Sequence, residues 1–248
     1  MQSDDEFSKS VITQSVALAR QVLKGKPNRL EALLELVRGR NAAIDSASAH
    51  PGHHTECGPG CFACCHQLVA IEQGEALLLA LYLHQSRSPE ELAGIKARAA
   101  LVACVPATQG ARFKTATACP LLADGRCGVH KARPAACRMT FSASRLACVT
   151  ALAASNEDRH APVPWFAPAG AYAALIQMGI DHVLAQAWGV STEKVELAKA
   201  LHIALADPQQ VTADWLAGKD PLKDAEVPIA PTPNRLVVQK AIKRLRIR

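Results

Sequence analysis

The chain has 248 residues, a formal net charge of +6 and 49% hydrophobic residues, of which few are aromatic. A chain of this length can bury a sizeable core, so disulfides are not needed in place of one. The start of the chain is acidic and its longest apolar stretch, 76–83, is too short to span a bilayer, so we expect a cytoplasmic protein without a signal peptide.

Helices are predicted over most of the chain, because apolar residues recur at helical spacing outside its middle. The composition, rich in Ala and Leu and modest in β-branched residues, favours helix over strand. Ser88 to Glu91 form a capping-box pattern with proline at the first helical position, and Asp207-Pro208 is a second helix start. The predicted helices cover residues 7–25, 27–49, 73–85, 88–104, 169–188, 191–206 and 208–216.

Residues 106–136 are the exception, because turn-forming residues interrupt them and no long periodic run is present. We therefore predict a mostly α fold, with one helical domain over residues 1–218 and an irregular, turn-rich, cysteine-bearing metal-binding insert over 57–148. Four prolines mark residues 219–233 as a linker. The basic residues 234–248 predict a final helix or tail.

Eight of the nine cysteines fall into two blocks. In a reducing compartment, clustered thiols indicate metal ligands or redox groups rather than structural disulfides. Cys61 and Cys64 have the spacing that lets two thiolates reach one tetrahedral ion. On a helix, Cys61, Cys64 and Cys65 would lie within an arc of about 100°, which suits a polynuclear cluster or two neighbouring metals. The proposed metal ligands are Cys57, Cys61, Cys64, Cys65, Cys119, Cys127, Cys137 and Cys148.

The remaining candidates lie near these blocks. A thiolate cluster needs compensating positive charge and N–H donors, and we predict that Arg133 and Arg138 provide them to the bound cofactor. Since eight cysteines already supply enough ligands, the four nearby histidines are predicted to be non-ligands. Cys104, at the end of an apolar helix, is predicted to be a buried core thiol. The four histidines are His53, His54, His66 and His130.

The combined pattern resembles the YkgJ-type cysteine cluster family, also called the CxxCxxCC family. The resemblance implies a domain that chelates zinc or iron, over roughly residues 57–148. That family includes flagellin lysine N-methylases, for which an iron–sulfur cluster is implied. The matching motifs are Cys57-x3-Cys61-x2-Cys64-Cys65-His66, Cys119-Pro120-Leu121, Gly125-Arg126-Cys127 and Arg133-Pro134-x2-Cys137-Arg138.

Two functions fit this sequence. The first is a metal-binding protein that holds an iron–sulfur cluster, or zinc or iron ions, through the two blocks of thiolates. The alternative is a metal- or iron–sulfur-dependent enzyme that modifies a protein or a small molecule, by methylase-like or redox chemistry. No nucleotide fingerprint and no nucleophile–base arrangement is visible, so no catalytic residue is predicted. We do not expect nucleic-acid binding, because no aromatic residues interleave with the basic charges of the C-terminus.

Overall fold

The computed structural model describes residues 2–49, 55–58, 60–140, 142–154, 163 and 167–227. These residues are mostly helical, which confirms the predicted fold class. None of their helices is both long and apolar enough to cross a membrane. The helices are α1 (Gln2–Gly25), α2 (Arg29–Ser48), α3 (Gln73–Ser86), α4 (Pro89–Ala103), α5 (Gln109–Lys114), α6 (Ala135–Met139), α7 (Arg145–Ala154), α8 (Ala167–Trp188), α9 (Leu197–Ala204) and α10 (Pro208–Leu216).

Side-chain caps define where several of these helices begin. Asn28 Oδ1 accepts hydrogen bonds from the first-turn backbone of α2. The predicted capping box before α4 is formed: Ser88 Oγ accepts from the Glu91 N–H at 3.2 Å, and the Glu91 carboxylate accepts from the Ser88 N–H at 2.9 Å. At the start of α10, ahead of Pro208, Asp207 Oδ1 accepts a single hydrogen bond from the Gln210 N–H at 3.0 Å. The predicted starts of α4 and α10 are therefore confirmed.

One small sheet joins distant parts of the chain. Strand β1 (Ala70–Glu72) pairs antiparallel with strand β4 (Lys194–Glu196), and Ile71 lies opposite Val195 with both side chains fully buried. The pairing shortens the helix predicted over 191–206, which begins only at Leu197 because the residues before it belong to the strand. β-Branched residues that fill a buried face stabilise such a strand more than local helix propensity opposes it.

The core lies between two groups of helices. Helix α8 packs against α1 and α2, and α9 packs against α3 and α4. Ile12, Leu77 and Leu201 are fully buried there, and burial of one such side chain contributes about 1.5–3 kcal/mol. Helices α1 and α8 approach closely at Gly179, where an added Cβ would lie 2.9 Å from the Ser15 Cβ. A glycine at this position therefore permits the observed packing.

The predicted linker begins with residues that pack against the core. Leu222 and Ala225 are fully buried, and Glu226 forms a β-bridge with Val195. Apolar side chains between the prolines explain this packing, because Leu222 and Ala225 join the main core. The rest of the predicted linker, 228–233, and the predicted basic helix, 234–248, lie outside the described residues.

A buried polar network connects α2, α3 and α8. Arg40 forms an ion pair with Glu75 and donates to Gln177, and the Arg40 and Glu75 side chains are 1% and 4% exposed. Gln177 Nε2 donates to Asp181 Oδ1 at 2.7 Å. Burial raises the pKa of Asp181 well above its ordinary value, and the charge of Glu72 raises this pKa further. Such a satisfied network fixes the relative positions of the helices that contribute to it.

Candidate metal centre

The two cysteine blocks meet at one cavity of about 550 Å³. Seven of the eight predicted ligands line it, and Arg133, Arg138 and His130 lie at its wall. All nine cysteines lie in the described part of the chain and are free thiols. The cysteines that line the cavity are Cys57, Cys61, Cys64, Cys65, Cys119, Cys127 and Cys137.

The first block enters the cavity as a short 3₁₀ helix, Ala63–His66. The Cys61 N–H donates to the Gly58 carbonyl at 3.0 Å, which turns the chain just before this helix. The Cys65 carbonyl accepts a hydrogen bond from the Cys119 N–H at 2.7 Å. This single backbone bond ties the first block to the beginning of the second.

The second block folds back on itself in a hairpin. Strands β2 (Leu122–Ala123) and β3 (Arg126–Cys127) pair antiparallel around Asp124-Gly125, and both turn residues have positive φ, 50° and 68°. Glycine adopts this conformation without strain, and aspartate tolerates it better than most residues. The predicted turn is therefore present, and it returns Cys127 towards Cys119.

Cys137 is carried by α6, which the scaffold holds in place. Ala135 of α6 is buried against Ile44 of α2 and Ala173 of α8. The Glu75 carboxylate accepts from the Ala135 N–H at 2.8 Å, at the N-terminal end of α6, where a negative charge is favourable. The buried network of α2, α3 and α8 thus reaches one of the candidate ligands.

The rim of the cavity is held by a loop that contains Ser142. The Ser142 N–H donates to Cys57 Sγ at 3.3 Å, and the Ser142 carbonyl accepts from Thr55 Oγ1 at 3.1 Å. The Arg145 N–H, at the start of α7, donates to the Glu56 carboxylate at 2.7 Å. These bonds bring α7, which carries Cys148, beside the first block, although Cys148 is not among the residues that line the cavity.

Four of the thiols lie deep and share an environment that disfavours negative charge. Burial raises the pKa of Cys119 to about 12 and holds the pKa of Cys137 well above the ordinary thiol value. A hydrogen bond with Cys64, followed by burial, raises the pKa of Cys65, and burial also raises the pKa of Cys127. Thiols of this kind stay protonated near neutral pH until a cation displaces the proton.

Three further thiols, Cys61, Cys64 and Cys148, are partly exposed. Burial raises the pKa of Cys61, and the neighbouring thiolates of Cys57, Cys64 and Cys148 raise it further. Burial likewise raises the pKa of Cys148, and a hydrogen bond with Ser142 lowers this pKa in part. In contrast, the hydrogen bond from Cys65 lowers the pKa of Cys64 to about 7. Cys64 is therefore the thiol of this site that ionises most readily.

The two predicted arginines make different contacts. The positive charge of Arg133 lowers the pKa of Cys64, so this guanidinium acts directly on the thiols. Arg138 instead forms an ion pair with Asp45 at 2.6 Å, and its Nε donates to the Arg133 carbonyl at 2.9 Å. These contacts suit Arg133 to charge compensation and Arg138 to holding the Arg133 backbone. Their cofactor-binding roles stay predictions.

Two histidines beside the blocks are described, and two are not. His130 lies against Arg133, and burial followed by that positive charge lowers the pKa of His130. Nδ1 of His66 is buried and has no hydrogen-bond partner among the described residues. A buried imidazole nitrogen without a partner next to Cys65 is compatible with a bound metal. His53 and His54 lie outside the described residues.

One cysteine prediction is wrong. Cys104 is exposed rather than buried, because α4 ends at Ala103 and the chain turns away from the core there. Its Sγ donates only to the Ala100 carbonyl of the same helix. Cys104 is therefore a free thiol outside the cavity, which makes it a useful control.

Several supporting residues were not predicted from the sequence. Glu75, Ser142 and the buried Arg112–Glu196 ion pair, whose nitrogen and oxygen lie 2.8 Å apart, hold the segments that carry cysteines. No local motif marks these residues, because each acts on a part of the chain more than 50 residues away. The one available signal was a charged residue within an otherwise apolar helix, as at Glu75 of α3.

The cavity fits a thiophilic metal by its donor set, although the ligands do not converge on one point. Within the described residues, no group of three or more His, Cys, Asp or Glu side chains has the arrangement of a metal site. Soft thiolates select zinc, copper(I) or iron–sulfur centres over magnesium and calcium. The free thiols, the nearby guanidinium and the unpartnered imidazole are all consistent with such a metal. The eight-residue ligand set stays a prediction.

Comparison with known proteins supports this chemistry. Residues 56–161, which include all eight predicted ligands, match the model of the CxxCxxCC family, described as a "putative zinc- or iron-chelating domain". The family resemblance predicted from the cysteine spacing is thereby confirmed over this segment. No match was found among curated proteins or among solved structures. The relation to flagellin lysine N-methylases stays a prediction.

Proposed function

We propose that this protein binds zinc or iron through the thiolates of both cysteine blocks and that holding the metal is its biochemical role, because residues 56–161 match the model of the CxxCxxCC family. The observation that carries this proposal is the convergence of seven free thiols on one cavity. Residues as far apart in sequence as Cys57 and Cys137 reach that cavity from separate elements.

An iron–sulfur centre is our first candidate for the bound group, with zinc or iron ions as the alternative. The cavity of about 550 Å³ has room beside the thiols for either group. The vicinal Cys64 and Cys65 favour the polynuclear centre, since they place two thiols side by side.

The protein residues perform three tasks when the metal binds. The thiols must lose their protons, and Cys64 does so most readily because its pKa is about 7. Arg133 offsets the resulting negative charge, and the Ser142 N–H already donates to a cysteine sulfur. An iron–sulfur centre would supply redox chemistry, whereas zinc would cross-link the segments that bear the ligands.

Enzymatic turnover is a second candidate, favoured by the lining of the cavity. One wall of the cavity beside the thiols is apolar and is formed by Leu68, Val69 and Leu121. His130 adds a neutral imidazole, because its pKa is lowered. Ligand sites commonly combine an apolar wall with a few polar groups. Such a cavity could admit a small molecule or a side chain of a protein substrate next to the metal. Turnover of a candidate substrate by the metal-loaded protein would support this alternative.

Metal content on anaerobically purified protein tests the proposal. Iron with acid-labile sulfide and absorption near ~400 nm would identify an iron–sulfur centre, and zinc without colour would identify thiolate-bound ions. The double variant Cys64→Ser/Cys65→Ser should lose metal, while the control Cys104→Ser should retain it, since Cys104 lies outside the cavity. Wild-type protein without metal, or full metal content in the double variant, would contradict the proposal.

A further inference from the structure

One edge of the Arg133 guanidinium has no partner among the described residues. On the other edge, Nη1 lies 2.9 Å from His130 Nδ1 and donates to the His130 carbonyl at 3.3 Å. Nε is buried without a hydrogen-bond partner, and no described residue accepts a hydrogen bond from Nη2. A buried N–H of a charged group is costly to leave unpaired, so these two nitrogens indicate a ligand.

The geometry of this edge indicates the kind of ligand. Nε and Nη2 of an arginine lie side by side in one plane, and their N–H groups match the two oxygens of a carboxylate. Hydrogen bonds between a guanidinium and a carboxylate are about twice as strong as bonds between neutral groups. The unpaired edge of Arg133 is therefore suited to a carboxylate that approaches from the cavity.

Arg138, the other arginine of the cavity wall, has no comparable edge. Its Nε donates to the Arg133 carbonyl at 2.9 Å, its Nη1 forms the ion pair with Asp45, and its Nη2 donates to the Lys131 carbonyl. Asp45 is the one carboxylate among the described residues that line the cavity, and Arg138 neutralises it. An anion that enters the cavity can therefore pair with Arg133 without competition from a protein carboxylate.

The backbone holds Arg133 in position before any ligand binds. Arg133 is extended, with φ of −60° and ψ of 143°, as expected for a residue before proline. Pro134 is buried at the start of α6, and the Arg133 carbonyl is fixed by the bond from Arg138. A charged group that is already positioned loses less conformational entropy when it binds.

The rest of the cavity favours a ligand with an apolar part. Its volume of about 550 Å³ lies within the roughly 300–1,000 Å³ typical of small-molecule sites. Leu121, Val129 and Leu197 line it and are themselves buried in the protein. An organic acid could cover this apolar surface, whereas a bare inorganic anion would leave it in contact with water.

We infer that the cavity binds a small organic acid, with its carboxylate on the Nε and Nη2 edge of Arg133 and its apolar part against the wall at Leu121 and Val129. This inference rests on the proposed function, because the acid would lie beside the proposed metal centre, and deepens it by naming the class of ligand. Arg133 forms no hydrogen bond with a cysteine sulfur within the described residues. Its N–H groups are therefore not already used by the thiols.

A pair of probe molecules tests the inference on the full chain. Wild-type protein, with the metal it carries after anaerobic purification, is titrated with benzoate and with benzamide, and binding is measured by ligand-detected NMR. Benzamide has the same ring and nearly the same shape but no charge. Benzoate should bind about tenfold more tightly or better, because only its carboxylate forms charged hydrogen bonds with Arg133. Equal affinity for the two probes would overturn the inference.

A matched pair of substitutions assigns the binding to Arg133. Arg133→Lys keeps the positive charge beside the thiols and removes the two-pronged edge, so benzoate should bind about tenfold more weakly. Arg126→Lys makes the same change at an exposed arginine outside the cavity lining and should bind benzoate as the wild type does. Unchanged affinity in Arg133→Lys, or an equal loss in Arg126→Lys, would overturn the inference.

Metal content measured on the same samples keeps the two proposals apart. Metal-loaded protein that does not distinguish benzoate from benzamide would contradict the acid site and leave the proposed function intact. Wild-type protein without metal would contradict the proposed function, and the difference between Arg133→Lys and Arg126→Lys would still decide whether Arg133 binds the carboxylate.

Discussion

The helical scaffold and the cysteine segment of this protein are stabilised in different ways. In the scaffold, α1 to α4 and α8 to α10 bury a continuous apolar core. In the cysteine segment, residues 55–154 outside α3 and α4, the elements are short and α7 buries no residue at all. The scaffold can fold through apolar burial alone, whereas the segment depends on long-range hydrogen bonds and on whatever its thiols bind.

Glu75 lies where the two regions meet. Its carboxylate forms the buried ion pair with Arg40 inside the scaffold, and it also accepts from the Ala135 N–H at the start of α6. The scaffold therefore positions Cys137 before any metal is present. The two regions should therefore respond differently to metal removal, to replacement of Glu75 and to truncation of a leucine.

Metal removal should separate the two regions most clearly. After chelation, amide hydrogen exchange should accelerate in residues 55–72 and 105–154 and stay slow in α3, α8 and α9. Thiolate-bound zinc supplies about 10–16 kcal/mol of folding free energy in small metal-dependent domains, so its loss should open a segment with so little buried surface. Equal acceleration in α9 would show instead that the core also depends on the metal.

Replacement of Glu75 should weaken the scaffold and, in one of two variants, the site. Glu75→Gln leaves the Arg40 charge buried without a carboxylate, which should lower the free energy of unfolding by about 3–5 kcal/mol. The amide oxygen can still accept from the Ala135 N–H, so metal content should survive. Glu75→Ala removes that acceptor as well and should reduce metal affinity. Urea unfolding and metal titration measure the two effects.

An exposed ion pair provides the control for these variants. Lys219 and Asp214 lie 2.8 Å apart with side chains 66% and 29% exposed. Asp214→Asn should leave the urea midpoint unchanged, because solvent screens such a pair. If Glu75→Gln were as mild as Asp214→Asn, the network would not be what holds α3 against α2.

The difference between the regions also explains what the sequence could predict. Periodic apolar residues and local caps define scaffold helices, so the starts of α4 at Ser88 and of α10 at Asp207 were predicted correctly. The β1–β4 pairing was missed, because Ile71 and Val195 are more than 120 residues apart and no local pattern links them. Cys104 was misplaced because helical spacing does not reveal that α4 turns away from the core at its end.

The sequence predicted which residue types form the candidate site. It did not predict as well which residues hold them in place. The spacing of the cysteines predicted the resemblance to the matched family, and Asp124-Gly125 predicted the turn. It did not indicate that Ser142 would contact Cys57, or that Arg133 and Arg138 would make different contacts. Those facts depend on which segments become neighbours after folding, and tertiary packing decides this.

Truncation of one leucine in each region compares the packing of the two regions most directly. Leu201 of α9 is fully buried, so Leu201→Ala should lower the free energy of unfolding by about 2–5 kcal/mol. Leu146 of α7 is 75% exposed, and Leu146→Ala should leave stability unchanged, because alanine suits a helix and no cavity forms. Urea unfolding of metal-free protein measures both. A large loss for Leu146→Ala would mean that α7 is covered, and then Cys148 on this helix would also be covered.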